Sequence, residues 1–411
     1  MPVFKIKGQQ PLTGEIAVSG AKNAALKLMA ATILIDQTCT LKNVPDISDV
    51  KMLIKLMEKL GAKIQQKENN TLVINCSNIT STVIDTNLSK KLRASIMLVA
   101  PLLARFGTAD LPHPGGCIIG KRPIDMFIKG FEKLGAEVRI SESHYHFKIN
   151  KLVGNKIVFP WISHTVTESM ILAACLGKGD TVLVNAAQEP EVVNLADFLN
   201  ISGAKIEGAG TNQIKITGVS NLTSGEIEII PDRLETGTFS ILGALAANEK
   251  LTITNCRPEH LEVFWEALRQ IGVEVDYDAS TVEIKKAKNL KAHEVRTHEY
   301  PGLATDLQPP LTLLLTQSKG MSLVHDIIYE GRLFYTELLN KMGAHIIMAD
   351  PHRVVVEGPT KLYSGSFSSP DIRAGMALVM AAMIAEGTTT IDKVDLIDRG
   401  YEKVDQRLNK I

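Results

Sequence analysis

Apolar residues along this chain follow two helical patterns that alternate with short stretches of strand-like alternation. The first pattern is amphipathic and runs through Gly-Ala or Gly-Val into a strand: MEKLGAKI, FEKLGAEV, LNISGAKI, LRQIGVEV and LNKMGAHI. Its glycines, Gly61, Gly135, Gly203, Gly272 and Gly343, are 74, 68, 69 and 71 residues apart, which marks an internal repeat. A sixth amphipathic helix is predicted in RGYEKVDQRLNKI at 399–411, where the chain ends before another strand. MPVFKIKG at the N-terminus can supply that strand, so the repeat is expected to close circularly.

The second pattern recurs at the same period and is apolar nearly all round: AALKLMAATILI, ASIMLVAPLLARFG, ESMILAACLGKG, TGTFSILGALAANEK, LQPPLTLLLTQSKG and RAGMALVMAAMIAEG. Such helices belong inside a domain, whereas amphipathic ones cover a surface. Between them TLVINC, YHFKIN, QIKITGV, TVEIKKA and HRVVVEG alternate as half-buried strands. Six α/β units of about 70 residues exceed what one hydrophobic core holds, so two three-unit domains are predicted. The crossovers fall near 21 and 230, giving one domain of 1–21 with 231–411 and a second of 22–230.

Polar residues precede every apolar helix: Lys22 and Asn23; Arg93; Ser163, Thr167 and Glu168; Asp232, Arg233 and Glu235; Thr305 and Asp306; Asp371 and Arg373. Helix N-termini carry unpaired N–H groups and partial positive charge, so several together would favour an anion. Equally, the Ser, Thr and Asp residues can be ordinary N-caps and the bases ordinary ion-pair partners.

Composition narrows the choices. Lys plus Arg equals Asp plus Glu, 45 against 45, so the global field that draws a protein to nucleic acid is missing. The longest apolar runs, such as GMALVMAAMIAEG, are too short to span a bilayer. Five widely spaced cysteines without a CxxC pair argue against a disulfide framework or a zinc site, and the N-terminus does not read as a signal peptide. A cytoplasmic protein with no metal, no cofactor and no obligate protein partner is the expectation.

Residues 110–125, DLPHPGGCIIGKRPID, break the periodicity with prolines, glycines and Cys117. Lys121 and Arg122 beside Cys117 can stabilise a thiolate; an inert cysteine is the equal alternative. With SGAKNAAL, LRASIMLVAPLLARFG, PGGCIIGKRPID, IPDRLETGTF, YPGLATDLQ, DIRAG and IDRGYE, the sequence resembles the UDP-N-acetylglucosamine 1-carboxyvinyltransferases over essentially its whole length. That resemblance implies an inside-out α/β barrel fold of two similar domains, each of three βαβαββ units. It also implies transfer of the enolpyruvyl group of phosphoenolpyruvate to the 3'-hydroxyl of UDP-N-acetylglucosamine, the first committed step of peptidoglycan synthesis.

By the same resemblance, Cys117 donates a proton to C3 of phosphoenolpyruvate and is the thiol that fosfomycin alkylates, while Asp306 accepts the proton of the sugar hydroxyl. Lys22, Arg122 and Arg399 hold the phosphate, and Arg93, Arg332 and Arg373 add positive charge. Asn23 bonds a substrate or the intermediate. Asp371 either transfers a proton or orients Arg399 or Arg373 as a salt-bridge partner. Arg122, Pro123, Ile124, Asp125 and Met126, with Ser163, His164, Thr165 and Ile328, are expected at the nucleotide. His164 and Thr165 replace a smaller pair of many members, and His164 either narrows the diphosphate slot or supplies a cationic contact. The rivals are a transferase of the same fold with another acceptor, a catalytically silent paralogue, and an RNA 3'-phosphate cyclase.

Overall fold

The computed structural model describes residues 2–113 and 123–411. These form two compact units: 2–19 with 231–411, and 20–113 with 123–230. Six buried helices organise them. In the second unit these are α1 (Lys22–Ala31), α2 (Val99–Phe106) and α3 (His164–Ala174); in the first, α4 (Arg233–Ala246), α5 (Gln308–Leu315) and α6 (Ile372–Ile384). Every residue of α5 is buried, and α4, α5 and α6 pack on one another. An apolar circumference leaves such a helix nowhere else to go.

Each unit carries three small sheets. In the second unit, Glu226–Glu228 returns to lie parallel to Thr38–Lys42, closing that unit's chain on itself. In the first unit the N-terminal residues do this twice. Glu15–Ala17 runs parallel to Lys250–Thr254, and Phe4–Lys7 pairs antiparallel with Thr388–Asp392. MPVFKIKG therefore completes the sixth repeat, and the N-terminus belongs with the C-terminal half for a reason of strand pairing.

The repeat glycines end the amphipathic helices. Gly61, Gly135, Gly203, Gly272 and Gly343 all have positive φ, between +98° and +114°, which a residue with a Cβ adopts only under strain.

Three expectations need correction. The sixth amphipathic helix is only Val404–Leu408, because Lys403 takes a left-handed φ of 41° and Tyr401 is drawn into the core, its hydroxyl 3.0 Å from Thr238 Oγ1. The helix Pro190–Ile201 is mostly buried, Glu191 and Asn194 included, and packs on α1 instead of merely covering a surface. The second and fifth apolar helices do not begin at their polar residues: Arg93–Leu98 and Thr305–Leu307 are 3₁₀ turns. Proline is the reason. Pro101, Pro309 and Pro310 have no N–H to give, and they fit only the first turn of an α-helix, which postpones the start to Val99 and Gln308.

Gly272→Ala should lower stability by about 1–2 kcal/mol, the cost of a left-handed L-residue, since its Cβ would also come 2.8 Å from the carbonyl oxygen of Asn289. A urea midpoint lowered at unchanged m would register it.

Candidate functional site

Of the residues singled out by sequence, Asp306, Ile328, Arg332, Asp371, Arg373 and Arg399 fall in the first unit, and Lys22, Asn23, Arg93, Pro123, Ile124, Asp125, Met126, Ser163, His164 and Thr165 in the second. Cys117 and Arg122 lie outside the described residues.

The first unit brings three of its set into direct contact. Asp306, in the 3₁₀ turn before α5, is partly exposed, and its carboxylate bridges two buried guanidiniums. Arg332 Nη2 donates to Oδ1 at 2.5 Å and Arg373 Nε donates to Oδ2 at 3.0 Å. Burial pulls the Arg332 pKa down, but the charges of Asp306 and Asp371 outweigh it and hold the group above its ordinary value. Arg373 is likewise raised against its burial, by Tyr401, Asp306 and Asp232. Both stay cationic. Arg373 Nη1 is buried and has no hydrogen-bond partner among the described residues. A buried donor left open in this way is rare in folded proteins and fits an anion to come.

A second layer fixes this cluster, and sequence reasoning missed its anchor. Asp326, fully buried, accepts the Thr305 hydroxyl at 2.6 Å and the N–H groups of Ile328 and Tyr329, both at 3.0 Å. Thr305 Oγ1 in turn accepts from Arg332 Nε at 3.3 Å. Ile328 thus contributes through its backbone to a turn that aims Arg332. Asp371 is the N-cap of α6, accepting from Arg373 N at 2.8 Å and Ala374 N at 3.0 Å. Among the described residues it forms no ion pair with Arg373 or Arg399, so the salt-bridge expectation gives way to a cap. Arg399 is half-buried in the turn before Val404–Leu408.

In the second unit, Lys22 and Asn23 open α1, and Lys22 Nζ lies 2.6 Å from Asp49 Oδ2 in the first turn of the helix Ser48–Leu60. Arg93 opens its 3₁₀ turn. Ile124 and Met126 turn their side chains into the core, so any contact they make with a ligand is through the backbone, whereas Pro123 and Asp125 are exposed. Ser163 is the N-cap residue of α3, yet its side chain makes no capping bond; its hydroxyl lies 3.4 Å from Thr165 Oγ1. His164 Nδ1 lies 3.5 Å from the buried carboxylate of Glu168, which also faces Lys27 Nζ at 3.3 Å. The signal for Lys27 was available: a single charge inside the otherwise apolar AALKLMAATILI.

The remaining cysteines are poor nucleophiles. Cys39, Cys76, Cys175 and Cys256 are all buried, and burial pushes their thiols up, Cys76 to about 11 and Cys175 and Cys256 to about 12. A thiol so raised stays protonated at neutral pH and does not attack. Among the described residues no group of His, Cys, Asp and Glu is arranged to hold a metal ion, and no helix is long and apolar enough to cross a membrane.

Residues 6–408 match the family described as EPSP synthase (3-phosphoshikimate 1-carboxyvinyltransferase). The UDP-N-acetylglucosamine 1-carboxyvinyltransferase of Clostridium botulinum is 42% identical over 412 residues, covering 100% of this chain and 98% of its own. That of Helicobacter pylori is 39% identical over 414 residues, with 100% and 98% covered. Among solved structures, the enolpyruvyl transferase NikO from Streptomyces tendae superposes with a TM-score of 0.91 at 24% identity, covering 99% of this chain and 96% of its own. EPSP synthase from Acinetobacter baumannii gives 0.77 at 16% identity, with 99% and 97% covered. These structures share the fold.

Iodoacetamide at about pH 8 should leave Cys39, Cys76, Cys175 and Cys256 unmodified in the folded protein and label Cys117. Peptide mass spectrometry reads each site, and denaturant should release the protected four.

Proposed function

The chain belongs to the EPSP synthase family of enolpyruvyl transferases, and from that premise we propose that it moves the enolpyruvyl group of phosphoenolpyruvate onto the 3'-hydroxyl of UDP-N-acetylglucosamine, releasing phosphate. The observation that carries this reading is full-length similarity, at about 40% identity, to relatives that bear that activity in their names. The protein is then a transferase of peptidoglycan synthesis, working in the cytoplasm on two small molecules without an obligate protein partner.

The reaction is an addition followed by an elimination. The sugar oxygen bonds to C2 of phosphoenolpyruvate while C3 gains a proton, giving a tetrahedral intermediate. C3 then loses a proton, the bond from C2 to the phosphate oxygen breaks, and phosphate leaves with the electron pair. Asp306 is the acceptor for the hydroxyl proton. Two guanidiniums orient its carboxylate, and proton transfer accompanies C–O bond formation, as the hydroxyl becomes acidic. Cys117 delivers the proton to C3.

Arg332 and Arg373, with Arg399, supply fixed positive charge for phosphoenolpyruvate. Lys22, Arg93 and Arg122 serve the phosphate and carboxylate. Asp371 acts as a cap that sets the direction of Arg373. Ser163 and Thr165, whose hydroxyls the helix does not consume, take the diphosphate at the α3 N-terminus with His164, while Pro123, Ile124, Asp125, Met126 and Ile328 shape the rest of the nucleotide site.

Incubation with both substrates should release phosphate and yield a nucleotide heavier by one enolpyruvyl group in mass spectrometry. Phosphate release only with shikimate 3-phosphate, or none with either acceptor, would sink the assignment. Lys22→Ala should raise the KM for phosphoenolpyruvate at least about tenfold, as expected for a lost charge-assisted contact, and leave that for the sugar nucleotide nearly unchanged. Cys117→Ser should depress turnover and abolish alkylation by fosfomycin.

A further inference from the structure

Glu168 is the least satisfied charge in the described structure. It is fully buried, and neither carboxylate oxygen has a hydrogen-bond partner among the described residues. Its companions are two nitrogens slightly beyond ordinary hydrogen-bond length, Lys27 Nζ at 3.3 Å and His164 Nδ1 at 3.5 Å. Lys27 is itself 2% exposed. Taking both charges out of water costs several kcal/mol per ion unless the pair is close and well bonded, so a loose buried pair needs a reason beyond stability.

Its position offers one. Lys27 follows Asn23 by four residues on α1, and Glu168 follows His164 by four on α3, so each charge lies one turn below a residue expected at the substrates, on the same helix face. The pair ties the second turns of the two helices together. It also commits one nitrogen of the His164 ring, Nδ1, to the protein. Among the described residues the other nitrogen, Nε2, makes no hydrogen bond, and the side chain is 36% exposed.

We propose that Glu168, backed by Lys27, is a positioning residue that orients His164 so that Nε2 contacts the diphosphate of the sugar nucleotide. The proposal rests on the reading of Ser163–Thr165 as the diphosphate site. The carboxylate is held short of full bonding in the free protein and closes on Nδ1 when an anion engages Nε2. The ring thereby becomes a specificity element for the nucleotide and not for phosphoenolpyruvate. The replacement at His164 and the isolated charges in two apolar helices have one explanation.

The test uses the whole protein with His164→Val, the double variant Lys27→Met with Glu168→Met, and the triple combination. The double variant removes the pair without stranding a buried charge, which usually preserves folding. Glu168→Asp, which keeps the charge and shortens its reach, is the second route should the double variant not fold. Calorimetry with UDP-N-acetylglucosamine and with uridine diphosphate gives Kd, and steady-state kinetics give KM for each substrate.

His164→Val and the double variant should each weaken both nucleotides about tenfold, the loss of one charge-assisted hydrogen bond. The triple variant should be no worse than His164→Val, and the KM for phosphoenolpyruvate should hold within about twofold while that for the sugar nucleotide rises about tenfold. Glu168→Asp should weaken nucleotide binding in the same direction. Unchanged Kd in the double variant, losses that multiply in the triple, or equal losses for both substrates would overturn the proposal. A wild type that binds uridine diphosphate without turning over UDP-N-acetylglucosamine removes the acceptor assignment alone, because the Kd comparison still decides the network. A wild type that binds neither overturns both.

Discussion

A helix that is apolar on every side must be buried, but its first N–H groups cannot be buried unpaired. That conflict arises six times in this chain, and the answers differ. Asp232 and Asp371 cap α4 and α6 with their carboxylates. Two other starts pass through 3₁₀ turns into segments where proline removes N–H groups from the first α-helical turn. At α1 and α3 neither remedy is used: Ala21 has no side chain to cap with, and Ser163 does not cap. The two helices whose first turns carry Lys22, Asn23, His164 and Thr165 are therefore the ones whose N-termini are closed neither by a side-chain cap nor by a 3₁₀ entry followed by proline.

The first unit uses guanidinium charge in place of open helix ends. Arg332 and Arg373 are almost entirely buried and would be intolerable alone; Asp306 makes them tolerable and is oriented by them. Asp306 is the carboxylate that both guanidiniums contact, while Asp371, whose charge also acts on Arg332, spends an oxygen on the cap of α6. Asp326 and Thr305 hold the geometry from behind through backbone N–H groups and a hydroxyl, so Arg332 keeps its place without drawing on a second carboxylate ion pair.

Much of this was legible in the chain because it is local or periodic. The glycines at Gly61 to Gly343 announce the repeat since only a left-handed residue ends each helix there, and an all-round apolar helix cannot be read as anything but buried. The strand at Phe4–Lys7 was legible for a topological reason: a sixth unit lacked its strand and the N-terminus had one to spare. What escaped was tertiary. Asp306 meets Arg332 and Arg373 across 26 and 67 residues, and no spacing rule joins them. The shortened last helix escaped because its amphipathic pattern was genuine, yet the burial of Tyr401 beneath Arg373, whose guanidinium lies 5.1 Å from its ring centroid, bends the chain before the helix can begin. The 3₁₀ starts could have been read from Pro101, Pro309 and Pro310, had the missing N–H groups been counted along with the polar residues.

Cysteine placement follows the same economy. Four thiols serve as small apolar fillers, and burial keeps them protonated, which is the safe state for sulfur inside a core. Reactivity at a fifth position needs the opposite surroundings, positive charge above all, and DLPHPGGCIIGKRPID places Lys121 and Arg122 after Cys117 in sequence. The described cation and carboxylate clusters thus stand at helix starts, whereas Cys117 falls in a stretch of sequence that the repeat does not dictate.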